Sequence, residues 1–116
     1  MIYEPNWLSL KRHAIPEWIR QAKFGIYTHW GAYSVPAFGS NVSWYPCNMY
    51  RRSSEQHRYH VERFGDPKTF GYKDFIPMFT GSRFDADEWA ELFQSAGARF
   101  AGPVAEHHDG FILPAH

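Results

Sequence analysis

Asp85-Ala86-Asp87-Glu88-Trp89-Ala90-Glu91-Leu92-Phe93-Gln94-Ser95-Ala96-Gly97 is the stretch from which the fold can be read. Asp85 is a good N-cap, because its carboxylate can accept from the orphan N–H groups of a first helical turn. Glu88 follows three residues later, at the capping-box spacing. Trp89, Leu92, Phe93 and Ala96 then trace the i, i+3, i+4, i+7 stripe of a half-buried helix, and Gly97 suits the left-handed residue that ends one. A helix over about 85–97 is predicted.

Working outward, Arg99 to Glu106 reads as a strand, although Gly102-Pro103 is awkward for a central parallel one. Upstream, Phe24-Gly25-Ile26-Tyr27-Thr28-His29 is a β-rich run closed by Trp30-Gly31, a strand at about 24–29. Pro16 to Ala22 reads as a short helix with Pro in its first turn and Glu17 beside it. The interval 31–84 has scattered aromatics, Gly and Pro and no long period, so it is expected to be a long loop. Within it, Arg51 to Phe64 resembles a polar helix and Tyr72 to Ile76 a single turn before Pro77. Strand, loop, helix and strand make a βαβ unit of an α/β fold, whose crossover requires parallel strands. Both strands run out into His-bearing sequence at their carboxyl ends, where parallel α/β folds place their sites. A loop of this length is normally functional.

Composition narrows the classes. Of 116 residues, 44% are hydrophobic and 21% charged, so the chain should fold. The 19% aromatic share serves a core or platforms for the apolar faces of sugars, and composition alone does not choose. Lys plus Arg equals Asp plus Glu at 12 each, which leaves no electrostatic footprint for nucleic acid or an anionic membrane. Cys47 is the single cysteine, so no intrachain disulfide is possible. The opening Met1 to Trp7 has no basic segment followed by an apolar run, so a cytoplasmic protein is expected, and no stretch approaches the ~20 apolar residues of a membrane span.

Three clusters bear chemistry. His29-Trp30-Gly31 sets an imidazole beside an indole, a hydrogen-bonding group next to an apolar plate, although a strand-end His also serves structural roles. In Ser43-Trp44-Tyr45-Pro46, Trp44 either offers its indole to a ligand or pins the loop. Glu106-His107-His108-Asp109-Gly110-Phe111 places ionisable residues at the end of an apolar strand, where burying them without a purpose is costly. Metal is the rival reading. Neighbouring strand residues point to opposite faces, so His107 and His108 would not grip one ion, and His57 and His60 sit in a charged segment expected to be solvated. No metal and no cofactor are expected.

Together, Ala22 to Pro36, Trp44-Tyr45-Pro46 with Asn48 to Arg51, Phe70 to Phe75 and Glu106 to Phe111 resemble the start of the α-L-fucosidases of glycoside hydrolase family 29. The resemblance runs from about Trp18 to Phe111. It implies the first strands and helices of a partial (β/α)8 TIM barrel and a retaining exo-glycosidase acting on a fucosylated glycan or small sugar. It implies substrate-binding roles for His29, Trp44, His107 and His108. The aspartate nucleophile and the acid/base fall on later strands, so no catalytic residue is expected in this chain. Many relatives have a glutamate where Ser43 stands. Two strands leave edges and an apolar face uncovered, so a homo-oligomer or a complementing chain with the rest of the barrel is expected. The alternative is a catalytically inactive, self-associating fragment or carbohydrate-binding module.

Overall fold

In the computed structural model, which describes residues 3–112, two short strands pair: β1 (Gly25–Thr28) and β2 (Phe100–Pro103). The Phe24 carbonyl accepts from Arg99 N–H at 2.9 Å and the Thr28 carbonyl from Val104 N–H at 2.9 Å, so the strands run the same way. Over that interval β2 uses one more residue than β1. Pro103, which has no N–H for a ladder, lies inside the longer stretch. Among the described residues, 3–26 with 87–101 form one compact unit and 27–86 with 102–112 another.

The first unit holds the periodic sequence. Helix α1 (Trp7–Leu10) is capped by Asn6, whose side chain accepts from Ser9 N–H at 2.9 Å. Helix α2 (Glu17–Ala22) starts just after Pro16, which serves as its N-cap rather than lying in its first turn. A side chain at Gly25 would overlap the Phe100 ring, so only glycine lets that ring lie across the strand. The α5 helix (numbered after α3 and α4, placed below) runs Ala86–Ser95 and closes in a Schellman turn. Gly97 takes φ 88°, Ala98 N–H bonds the Phe93 carbonyl at 3.0 Å and Gly97 N–H the Gln94 carbonyl at 2.9 Å. The rings of Trp89 and Phe93 meet at 5.8 Å, yet no residue of α5 is buried, and Leu92 is 62% exposed. The amphipathic stripe is present and largely uncovered.

The second unit holds the core, and it lies in the interval expected to be a long loop. Helix α3 (Tyr45–Asn48) follows a 3₁₀ turn at Val42–Trp44, and α4 (Glu55–Phe64) starts at Ser54. The Ser54 hydroxyl accepts from His57 N–H at 2.9 Å and donates to the Asn48 carbonyl at 2.6 Å, which joins the two helices. A 3₁₀ stretch at Tyr72–Met78 is set by Asp74, whose carboxylate accepts from Gly71 N–H at 2.7 Å. Ala32, Tyr33, Tyr45, Met49, Tyr72 and Phe75 form the buried cluster. Aromatic rings packed edge to face need shape rather than a repeating period, which is why no stripe announces this core.

Helix α4 corrects the expectation of a solvated polar segment. Gln56 and His60 are buried, His60 completely. Burial, with His57 adding to it, lowers the His60 pKa below its ordinary 6.5 against an opposing bond to the Phe70 carbonyl. Among the described residues, no helix is long and apolar enough to cross a membrane.

Substitutions should separate the two units. Phe75→Ala empties a sealed site and should cost about 3–5 kcal/mol in urea unfolding of this chain. Leu92→Ala removes a side chain that is 62% exposed and should stay within about 0.5 kcal/mol. Equal losses would contradict the placement of the core.

The lowered His60 pKa fixes the sign of a pH effect. The unfolded chain binds the extra proton more readily, so the contribution is complete above pH 6.5 and is lost as pH falls from there through the folded value. Unfolding midpoints should therefore drop as pH falls below 6.5, and His60→Gln should flatten that fall.

Candidate functional site

The second unit brings four expected residues into one row. His29 follows β1, while His107 and His108 lie beyond β2 in a turn closed by a bridge between Glu106 and Ile112. Because β2 ends at Pro103, strand alternation does not govern this pair, and their rings lie 4.2 Å apart by centroids. His29 meets His107 at 5.0 Å, nearly perpendicular, and Trp44 lies over His108 at 4.5 Å with only 32° between the planes. Trp44 is 42% exposed, His29 and His108 are exposed, and His107 is half-buried. Tyr27 adds an edge to His29 at 5.1 Å. Ser43, half-buried, immediately precedes Trp44 in its 3₁₀ turn.

The turn is tied to the core by Asp109. One oxygen of its carboxylate accepts from the Tyr72 hydroxyl, and the other accepts from Phe111 N–H at 3.2 Å. The second bond orients the turn at Gly110, which takes φ 69°. The first, across 37 residues of sequence, was not expected, since nothing in the sequence pairs the two positions. Burial, then the bond and charge of Asp109, hold the Tyr72 hydroxyl in its protonated form. Glu106 remains exposed.

Tyr33 is the other residue that sequence reading passed over, although it lies within the Ala22–Pro36 segment. Its ring meets His107 at 5.6 Å, and both its hydroxyl and His107 Nδ1 are buried without a hydrogen-bond partner among the described residues. Burial first, then Asp109 and Tyr27, raises the Tyr33 pKa. Burial first, then His108 and His29, lowers the His107 pKa below 6.5, against a weaker opposite pull from Asp109. His107 is therefore a neutral imidazole at neutral pH, with one donor and one acceptor nitrogen. Among the described residues, no three His, Cys, Asp or Glu side chains are placed to hold a metal.

This row of imidazole and indole rings can hold hydroxyl groups by hydrogen bonds and an apolar face by stacking. Known proteins of similar sequence and fold bear on that chemistry. The family model for α-L-fucosidase matches residues 1–114. Tissue α-L-fucosidase of Rattus norvegicus is 45% identical over 109 residues, which cover 94% of this chain and 23% of that protein. Plasma α-L-fucosidase of Homo sapiens is 42% identical over 113 residues, 96% of this chain and 23% of that one. The crystal structure of Thermotoga maritima α-fucosidase in complex with fucose superposes with a TM-score of 0.90 at 39% identity, covering 99% of this chain and 29% of that one. The chain thus spans about a quarter of the length of the curated relatives it matches. On sequence and fold alike, the chain belongs to the α-L-fucosidase family.

Proposed function

We propose that this chain is the N-terminal section of a retaining exo-α-L-fucosidase built on a (β/α)8 TIM barrel, in which His29, Trp44, His107 and His108 hold the terminal fucose. The observation that carries this reading is the row itself, with Trp44 tilted 32° over His108, and His107 and His29 continuing it. A sugar ring has C–H faces that suit an indole and hydroxyls that both donate and accept, as a neutral imidazole does.

Hydrolysis with retention needs two carboxyl groups about 5 Å apart across the scissile bond. Asp109 is committed to Tyr72 and to Phe111 N–H, which makes it an anchor. Glu106 is exposed beside its bridge to Ile112. The nucleophile and acid/base therefore come from further barrel strands. Those strands would also cover Leu92 and Phe100, which are 62% and 46% exposed. The same uncovered surface favours a second reading, a sugar-binding module that self-associates or is completed by another chain.

Fucose binding and turnover test the proposal together. L-Fucose added to this chain should shift the NMR signals of the Trp44 indole and the His108 ring, while an aryl α-L-fucoside should be released only at background. Absence of those shifts at saturating sugar would overturn the assigned binding residues. Turnover near 1 per second, ordinary for an enzyme, would place both carboxylates within these residues.

Ser43 offers a separate check. If it occupies a hydroxyl-binding position, Ser43→Glu introduces a charge-assisted hydrogen bond of about 1.5–3 kcal/mol, or roughly tenfold and more in affinity. Fucose titration of the variant in a completed barrel measures it. Unchanged affinity would mean the site is adapted to serine.

A further inference from the structure

His60 takes no part in the row of site residues, yet it is the most constrained histidine in the second unit. It has no solvent exposure, and both of its ring nitrogens are engaged. Nε2 lies 2.8 Å from the Phe70 carbonyl, which can only accept, so Nε2 carries the proton. Nδ1 is then left as an acceptor, and the Tyr45 hydroxyl, 3.1 Å away, donates to it. Burial pushes the Tyr45 pKa up, so that hydroxyl keeps its proton for the bond.

An apolar side chain would fill this aromatic surrounding without the desolvation that a buried imidazole carries. What the imidazole adds is direction. It fixes the far end of the Tyr45 ring relative to the Phe70 backbone. Tyr45 is itself sealed, packs against Tyr59 and Phe75, and is the residue directly after Trp44. At this junction the backbone passes from the 3₁₀ turn into α3, with Trp44 at φ −95°, ψ 3° and Tyr45 at φ −50°, ψ −42°. Trp44 is 42% exposed, and its ring meets that of the exposed His108. An exposed neighbour does little to immobilise an indole, so the anchored residue beside it in sequence sets its orientation.

We propose that His60, acting through Tyr45, is a positioning residue for Trp44 and so for the sugar platform. The inference rests on the reading that Trp44 contacts the sugar, but its mechanical part can be observed without any ligand. The groups around His60 introduce no competing anchor. His57, one turn earlier on α4, gives its own Nδ1 contact to the Met49 carbonyl at 2.7 Å, and Phe64, Phe70 and Phe75 present rings.

Three substitutions in this chain separate positioning from packing. Tyr45→Phe removes only the hydroxyl. His60→Leu fills the space with no polar atom. His60→Gln restores a donor for the Phe70 carbonyl and an acceptor for the Tyr45 hydroxyl. The readouts are the indole ¹H–¹⁵N resonance of Trp44, assigned with Trp44→Phe, and the dissociation constant for L-fucose. Tyr45→Phe and His60→Leu should move or broaden the indole signal and weaken fucose roughly fivefold, the scale of re-ordering one side chain. His60→Gln should leave both close to those of the parent. If the parent chain does not bind fucose, the assigned sugar site fails, and the indole signal alone decides the positioning claim. A folded Tyr45→Phe variant with an unmoved Trp44 resonance would overturn it, whatever the behaviour of His60→Leu.

Discussion

Phe75 is the ring around which the segment between the strands is organised. It is sealed from solvent, and the rings of Tyr45, His60, Phe64, Phe70 and Tyr72 stand around it at centroid distances from 4.9 to 6.3 Å, all steeply inclined to it. Tyr45 comes from α3, His60 and Phe64 from α4, Phe70 from the turn after α4, and Tyr72 from the 3₁₀ stretch that carries Phe75 itself. Edge-to-face pairs of this kind contribute about 0.5–1.5 kcal/mol each beyond their buried area. Short helices of four to ten residues are not stable alone, so their existence here depends on this shared ring cluster.

Two tyrosines of that cluster connect it to the site. Tyr45 directly follows Trp44 in the chain. Tyr72 donates to Asp109, which in turn holds the turn bearing His107 and His108. Both hydroxyls are kept protonated by burial and both act as donors, one to His60 Nδ1 and one to a carboxylate. The Trp44 side and the histidine side of the row are thus held from the same core. Preorganisation of this kind reduces the ordering that a ligand must otherwise impose.

The sequence was most legible where a period exists. The helix stripe of Trp89, Leu92 and Phe93, the Gly97 stop and the β-rich run before His29 follow from spacing and turn chemistry alone, and the structure has α5 at Ala86–Ser95 and β1 at Gly25–Thr28. What spacing does not report is coverage: Trp89 and Phe93 are only half-buried, and Leu92 is exposed. The core was read as loop because its aromatics recur at no fixed interval. His60 was read as solvated because Arg58, Glu62 and Arg63 surround it in sequence, although only the buried face of α4 matters to it. The four residues expected to bind the sugar come from three separate motifs, and the structure brings their rings into one row. Tyr72 was missed because its partner is 37 positions away and no local pattern encodes such a bond.

The electrostatic character of the row follows from its crowding. His107 has His29 at 5.0 Å and His108 at 4.2 Å, and charge on either neighbour disfavours a proton on His107. Burial is the larger cause of the lowered pKa at His107, and Asp109 only partly offsets it. An imidazolium offers donors alone, whereas a neutral imidazole offers one donor and one acceptor, matching a hydroxyl that does both. With Lys plus Arg balanced by Asp plus Glu at 12 each, no long-range field draws an anion toward these rings. On the proposed reading, a neutral His107 thus matches a hydroxyl of an uncharged sugar. Under the proposed function, a reaction that develops positive charge at the sugar would draw its compensating carboxylates from outside the row, which is the division of labour that a barrel assembled from many strands makes possible.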